Sequence, residues 1–464
     1  MSGSDGISTK FDFIPKELQN LKINKDFDGN YDLPFFYNLN DVIQTFRLPM
    51  PCNNILPDIQ QQAGIFFHVP TNLTAEGILL GKKKLNNNII DIRIQSNALT
   101  KHLYIMGQTG TGKSTLIKTM VADCLKSNCG FTVIDPHGDL YDEVYNFIPA
   151  DKLITINSLS ESSCGINPLR YDKRMPQAKS LIINELIRIF GSLYDMKTAG
   201  GPMFETYFKH GLLLIMDEGV EEKFGERNLN DLVKLFFNQP YRSELLRGCR
   251  EESVINFFNT AENTTGEQVF ANFAIYITSK LNRFVDDYYL APLLSGKREN
   301  INFRQLIDDG KIMLVKLEKG LIGNDNTSLL GQIILSNIIL AGMSRTGTKI
   351  NERKPHYIFI DEFQNFVKSD IGSALSEVRK YGLNLVLANQ TLGQLDDYLI
   401  QSLLGNVGSM VFFRPGINDY EKIKHYLEPH FQKEDVLRLP NFNCIARLMI
   451  DNIPSEPFVF QTTI

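Results

Sequence analysis

A chain of 464 residues with 43% hydrophobic and 22% charged content has the make-up of a globular protein of two or three domains with ample core. Its net charge of −5 excludes a global basic field that would gather nucleic acid, so any DNA contact must be local. The 6 cysteines (Cys52, Cys124, Cys129, Cys164, Cys249, Cys444) show neither C-x-x-C nor zinc-type spacing, which fits a reduced compartment, and the longest apolar stretch, Ile333 to Met343, falls short of the roughly 20 residues of a membrane span.

Residues 1–75 are rich in Asn, Asp, Pro and Phe and carry no clear periodicity. From 76 to 96 the pattern predicts a hairpin: Gly77 to Gly81, a polar turn through Asn86, Asn87 and Asn88, then Ile90, Ile92 and Ile94 alternating with polar residues. The triplet Lys82-Lys83-Lys84 on it reads as a solvated strand edge that discourages sheet-to-sheet pairing rather than as a DNA contact.

The apolar run His102 to Met106 predicts a strand, and Thr115 to Val121 has helical spacing. Between them Gly107, Gln108, Thr109, Gly110, Thr111, Gly112, Lys113 and Ser114 spell the phosphate-binding loop G-x-x-x-x-G-K-[ST]. The glycines let backbone N–H groups turn inward around phosphate, and the opening helix adds its positive dipole end. Lys113 is the candidate partner of the β/γ-phosphates and Ser114 of Mg²⁺. Next, Phe131 to Asp135 predicts a strand ending in the turn Pro136 to Leu140, expected beside the phosphate-loop strand. Two readings stay open for that turn, part of a ligand crevice or an ordinary loop.

Helical spacing then dominates through Leu181 to Ile189, Tyr207 to Ile215 and Leu229 to Phe237, with a glycine-rich joint at Ala199 to Pro202. This predicts an all-helical insertion over 176–300, between a first core half at 76–175 and a second at 301–464. The strand Ile312 to Leu317 resumes the alternation of strand and helix. The run Tyr357 to Ile360 predicts a buried strand that presents Asp361 to the Mg²⁺ shell and Glu362 as the candidate base for an attacking water. A helix from Ser373 to Tyr381 carries Arg379 near its end, where a cation either offsets the helix dipole or completes a neighbouring subunit's phosphate site. The strand Leu383 to Ala388 delivers Gln390 as a candidate sensor of the γ-phosphate.

Taken together, Gly107–Thr115 (GQTGTGKST), Asp135–Leu140 (DPHGDL), Asn167-Pro168-Leu169, Gly320 to Gly323, Ile360–Phe366 (IDEFQNF), Arg379–Leu383 (RKYGL) and Ala388–Gln390 (ANQ) resemble the HerA/FtsK superfamily. Their order is most similar to type IV conjugative coupling proteins of TraD/TraG type and HerA-like DNA translocases. The resemblance implies an α/β fold, a RecA-like core whose mostly parallel sheet is flanked by helices, with an all-helical insertion domain. It implies ATP and Mg²⁺ as cofactors, a homo-oligomer of hexameric ring form, and DNA, single- or double-stranded, as the partner pumped through the ring. Carried over, Gly107, Thr109, Gly110, Thr111, Gly112, Lys113, Ser114 and Thr115 would bind nucleotide, and Ser114 and Asp361 would hold Mg²⁺. Glu362 would activate water, Gln390 would couple nucleotide state to motion, and Arg379 would reach across the subunit interface, with Arg414 the second choice. The loops after Asp135 and around Lys368 would face DNA.

Coupling proteins of this type carry an N-terminal membrane anchor and HerA proteins an N-terminal β-barrel, and residues 1–75 show the pattern of neither. The expectation is therefore a cytoplasmic DNA translocase without an intrinsic span, acting in conjugation-like transfer beside secretion-channel, relaxase or nuclease partners. The competing motor reading is viral genome packaging or HerA-type DNA processing. From a different class comes a nucleotide-gated assembly platform with slow ATP turnover.

Overall fold

A computed structural model of the chain describes residues 69–464, apart from 86–87, 176, 195–200, 368–374, 376 and 463–464. Most of region 1–75, the hairpin turn at Asn86 and Asn87, part of the joint Ala199 to Pro202 and Lys368 thus lie outside the described residues, as do Ser373, Ala374 and Ser376 of the expected helix Ser373 to Tyr381.

Thirteen strands are present among the described residues: β1 (Ile78–Leu85), β2 (Asn88–Ile94), β3 (Leu103–Met106), β4 (Gly130–Asp135), β5 (Leu153–Asn157), β6 (Ile312–Lys316), β7 (His356–Ile360), β8 (Leu383–Asn389), β9 (Ser409–Phe412), β10 (Asn443–Arg447), β11 (Met449–Ile450), β12 (Ile453–Pro454) and β13 (Phe458–Gln461). Eleven of them form one sheet in the order β2-β1-β13-β10-β9-β3-β8-β7-β4-β6-β5. From β9 to β5 all neighbours are parallel, whereas β10, β13, β1 and β2 extend the sheet by antiparallel pairing. The sheet is the RecA-like P-loop core that the sequence predicts.

Parallel strands covered by crossover helices are buried on both faces, which is why they read as unbroken apolar runs. In β3, Tyr104 and Met106 enter one hydrophobic cluster and Leu103 and Ile105 the other; in β7, Ile358 and Ile360 divide from Tyr357 and Phe359 in the same way. The helix Lys113–Lys126 packs on one face through Leu116, Ile117 and Met120. Its Asp123 accepts hydrogen bonds from Leu79 N–H (3.1 Å) and from Arg93 (3.2 Å), which ties the β1/β2 hairpin to the helix that follows the phosphate loop. Lys83 of the basic triplet departs from the solvated reading: it is buried, and burial lowers its pKa.

The other face meets the insertion. Between β5 and β6 every described element is helical, including Ala178–Tyr194, Gly201–Ile215, Leu229–Phe237 and the 34-residue helix Glu252–Val285. Their apolar sides join the same cluster as Tyr104 and Ile360. The helix Asn324–Met343 lies in that cluster as well. With its following turn to Gly347 it has the length and a mean hydropathy of 1.4 that could cross a membrane, which corrects the expectation that no stretch would qualify. In the fold, 67% of that window is buried, so its apolar character serves the core.

Two local predictions need correction. The strand β4 is not beside β3; β8 and β7 intervene, so β4 borders β7 instead. Its Asp135 is consequently the neighbour of Asp361, whose N–H donates to Ile134 O at 3.1 Å. Arg379 sits in a 3₁₀ turn, Arg379–Tyr381, that leads into β8 through Gly382 with φ 76°, a left-handed conformation open to glycine.

Candidate functional site

Strand direction builds the site. Because β3, β4, β7 and β8 are parallel, their C-terminal ends share one edge, where ligands of such sheets bind. Met106 is opposite Asn389 in the register, so Gly107 and Gln390 leave adjacent strands at the same level. The flanking strands pin the start of the loop: Gly107 N–H donates to Asn389 O (3.4 Å) and Gln108 N–H to Arg414 O (3.1 Å).

Packing requires glycine at two points in that loop. A Cβ on Gly107 would stand 2.4 Å from Phe413 Cβ, and Gly112 combines φ 121° with the ring of Phe413 at 2.9 Å from an added Cβ. Gln108, Thr109, Gly110 and Ser114 are exposed, while Thr111, Gly112, Lys113 and Thr115 are buried. The first N–H groups of the helix Lys113–Lys126 have no intrahelical acceptor and face the loop, which makes a ready anion cradle.

The ammonium of Lys113 donates to the carbonyls of Gly107 (2.6 Å) and Gln108 (3.3 Å). Burial lowers its pKa, and the charges of Glu362 and Asp361 oppose that shift. Asp361 is pushed up to about 7, first by burial and then by the neighbouring charges of Glu362 and Asp135, against the pull of Lys113. Glu362 and Asp361 act on Lys113, and Asp135 acts in turn on Asp361, an excess of negative charge that a divalent cation would relieve. No cluster of three or more His, Cys, Asp or Glu suited to metal occurs among the described residues. The candidate donors expected from the sequence are one hydroxyl, on Ser114, and one carboxylate, on Asp361, a set of the kind that suits a Mg²⁺ whose shell is completed by nucleotide oxygens and water.

Glu362 is buried and has φ 45° and ψ 48°, a strained left-handed backbone for a non-glycine residue. Gln364 Nε2 donates to its carboxylate at 2.6 Å. Asp135 is taken up by backbone: its oxygens accept from His137 N–H (2.8 Å) and Tyr141 N–H (3.0 Å), so it shapes the turn of DPHGDL while acting on Asp361 by charge.

The two arginines part company. The guanidinium of Arg414 donates to Leu439 O (3.2 Å) and Asn441 Oδ1 (3.0 Å), beside the Phe442 that bonds the phosphate loop. Arg379 is exposed and precedes β8, whereas Gln390 follows it; a strand of seven residues, about 23 Å, separates the two. The phosphate loop, Asp361, Glu362 and Gln390 therefore come together, and Arg379 stands at the opposite edge. Buried Arg345 holds the Arg379 turn through Tyr381 O (3.0 Å) and pairs with Asp308 (3.0 Å).

Sequence reasoning missed the brace supplied by the C-terminal segment, in which Phe442 N–H donates to Thr111 O at 2.7 Å. No local pattern marks that contact. It also missed Gln364, although the quoted motif Ile360–Phe366 contains it, and Asp419, which anchors Thr391 and Leu392 beyond Gln390 at 2.9 Å each.

Fold and site together define a P-loop nucleotide-binding core. The family model described as the central domain of the helicase HerA matches residues 78–199, and that described as the TraM recognition site of TraD and TraG matches 355–426. The chain is 22% identical over 362 residues to the DNA double-strand break repair helicase HerA of Sulfurisphaera tokodaii (76% of this chain, 64% of that one). It is 21% identical over 347 residues to the type 4 coupling protein DotL of Legionella pneumophila (63% and 44%). It thus spans 64% and 44% of the length of these relatives. In fold it is similar to the plasmid coupling protein TrwB in complex with ADP and Mg²⁺ (17% identity, 79% and 87% of the chains, TM-score 0.57) and to VirB4 of Thermoanaerobacter pseudethanolicus (16%, 84% and 97%, TM-score 0.57). The resemblance to the HerA/FtsK superfamily, on its coupling-protein and HerA side, holds in sequence and in fold.

The raised pKa of Asp361 has a consequence for stability. Its folded carboxyl keeps the proton up to about pH 7, while the unfolded one releases it near 3.8, so ionisation weakens the metal-free fold as pH rises through that window. Asp361→Asn is expected to stabilise the metal-free protein at pH 8 by roughly 1–3 kcal/mol, with the gain vanishing near pH 4. Denaturant titrations at the two pH values check it; equal effects at both would contradict the assignment.

Proposed function

We propose that the chain is an ATP-driven DNA translocase that works as a ring, hexameric by resemblance, in conjugation-like DNA transfer. The observation that carries the reading is the division of the site. One sheet edge gathers the phosphate loop, Asp361, Glu362 and Gln390, while the exposed Arg379 stands about 23 Å away at the other edge, too far to serve its own nucleotide. A neighbouring subunit that applies its Arg379 edge to this loop would complete the site, and closure of such head-to-tail contacts gives a ring.

In this reading Gly107 to Thr115 wrap the phosphates with backbone N–H groups, and Lys113 leaves its two carbonyl partners to neutralise the β/γ-phosphates. Mg²⁺, held by Ser114 and Asp361, would supply charge neutralisation at the phosphates. Glu362 orients and deprotonates the attacking water, and Gln390, one residue beyond the strand beside the phosphate loop, reads the γ-phosphate. Arg379 supplies positive charge in trans to the transferred phosphoryl group. DNA contacts fall to phosphates on loops of the same edge, including the turn after Asp135, where a few cations repeated around a symmetric channel concentrate potential that a chain of net charge −5 lacks. Catalysis in a cytoplasmic compartment is part of the same proposal.

Steady-state ATP turnover with and without DNA tests the reading. Wild-type turnover should rise with DNA. Lys113→Ala should abolish nucleotide binding, whereas Glu362→Gln should keep it and lower turnover by about 10²–10⁴. Turnover that ignores DNA would favour the platform function instead.

Arg379→Ala should reduce turnover by about 10³–10⁵ without loss of nucleotide affinity. Mixing Arg379→Ala with Glu362→Gln subunits should restore part of it, because some interfaces then hold both intact residues. Absence of rescue in mixed rings of verified composition would argue against action in trans.

A further inference from the structure

We propose that Gln364 is a positioning residue: it fixes the carboxylate of Glu362 and links it by a hydrogen-bond relay to the turn that follows Gln390. The inference rests on the reading of Glu362 as the catalytic base.

The geometry is specific. Gln364 Nε2 donates to Glu362 Oε2 at 2.6 Å and to Gln394 Oε1 at 2.9 Å. An amide nitrogen has two protons for two acceptors, and turning the Gln364 amide over would set its oxygen against the acceptor-only carboxylate of Glu362, so that partner selects the orientation. The backbone that carries Gln364 is anchored on both sides. Phe363 is fully buried, its carbonyl accepts from Val367 N–H (2.9 Å), and Asn365 Nδ2 donates to Glu362 O (2.8 Å). Lys319 in turn holds Asn365 at 2.6 Å. With the backbone of Glu362 fixed this way in its left-handed conformation, the direction of its carboxylate falls to Gln364.

The far end of the relay is equally built. Gln394 belongs to the 3₁₀ turn Leu392–Gln394, which Thr391 caps through Gly393 N–H (3.1 Å). Asp419 Oδ1 accepts from Thr391 Oγ1 and Leu392 N–H, both at 2.9 Å. Asn389 donates to Thr391 O (3.0 Å) and accepts from Tyr104 OH of the phosphate-loop strand (2.7 Å). A displacement of Gln390 by nucleotide thus reaches Gln394 through a rigid turn, and Gln364 passes it to Glu362. Sensing and water activation become one unit, with Gln364 at its centre.

The test compares Gln364→Leu, Gln394→Leu, the double variant and Glu362→Gln in the full chain, with DNA present. Turnover, KM for ATP, nucleotide affinity by direct titration and the thermal midpoint are measured on each. Gln364→Leu should lower kcat about 10- to 100-fold, the usual loss for a supporting hydrogen bond, with KM and affinity within about twofold of wild type. Gln394→Leu should give a smaller loss in kcat, and the double variant should be no worse than Gln364→Leu, since both act through one path. A kcat for Gln364→Leu within about twofold of wild type overturns the inference, as does a joint fall of kcat, affinity and thermal midpoint, which marks mere structural damage. Multiplying losses in the double variant overturn the relay. If Glu362→Gln is inactive and Gln364→Leu is not, the inference fails alone; if Glu362→Gln keeps full turnover, the reading of the base fails and the inference with it.

Discussion

Parallel pairing is the constraint from which the rest of this structure follows. Seven strands from β9 to β5 run the same way, so every loop that leaves a C-terminal end emerges at one edge, and every segment that enters a strand does so at the other. Residues far apart in sequence, Lys113, Asp361 and Gln390, are thereby brought to a single crevice. The same rule sends Arg379, only eleven positions before Gln390, to the far side of the sheet. Proximity in sequence and in space are opposed here because a strand lies between the two residues.

The crevice concentrates charge of one sign. Asp135 is fixed by two backbone N–H groups, Glu362 by Gln364, and Asp361 stands among them with its carboxyl raised to about 7. Lys113, its own pKa lowered by burial, acts against only part of the charge that Glu362 and Asp135 impose on Asp361. Left without a cation, such a cluster opposes ionisation; with a divalent cation and a polyanionic phosphate chain it becomes complementary. The strained backbone of Glu362 persists because the packed Phe363 and the Asn365 hydrogen bond over-determine it.

Much of this was legible because it is local. The strand, loop and helix around Gly107–Ser114 follow from apolar periodicity and glycine spacing, and β7 announces itself as an apolar run ending in acids. The helical segments of the insertion declared themselves by period. What sequence could not supply is order across the sheet. Periodicity identifies β4 as a strand but says nothing of the β7 and β8 that intrude between it and β3, so Asp135 was assigned the wrong neighbour. Likewise Phe442 lies 331 positions from Thr111 in a segment with no motif, yet their backbone hydrogen bond braces the phosphate loop. The apolar helix Asn324–Met343 shows the converse: composition alone suits a bilayer, and only its burial assigns it to the core.

Movement along DNA is the central claim, and end-block displacement tests it most directly. Linear DNA carrying a biotin at one end is saturated with streptavidin, and release of the block is followed with ATP, with a non-hydrolysable analogue, and with Glu362→Gln. The account predicts ATP-dependent release by the wild type and none in the other two conditions. Turnover stimulated by DNA with the streptavidin left in place, on blocks at either end and on single- and double-stranded substrates alike, would contradict it.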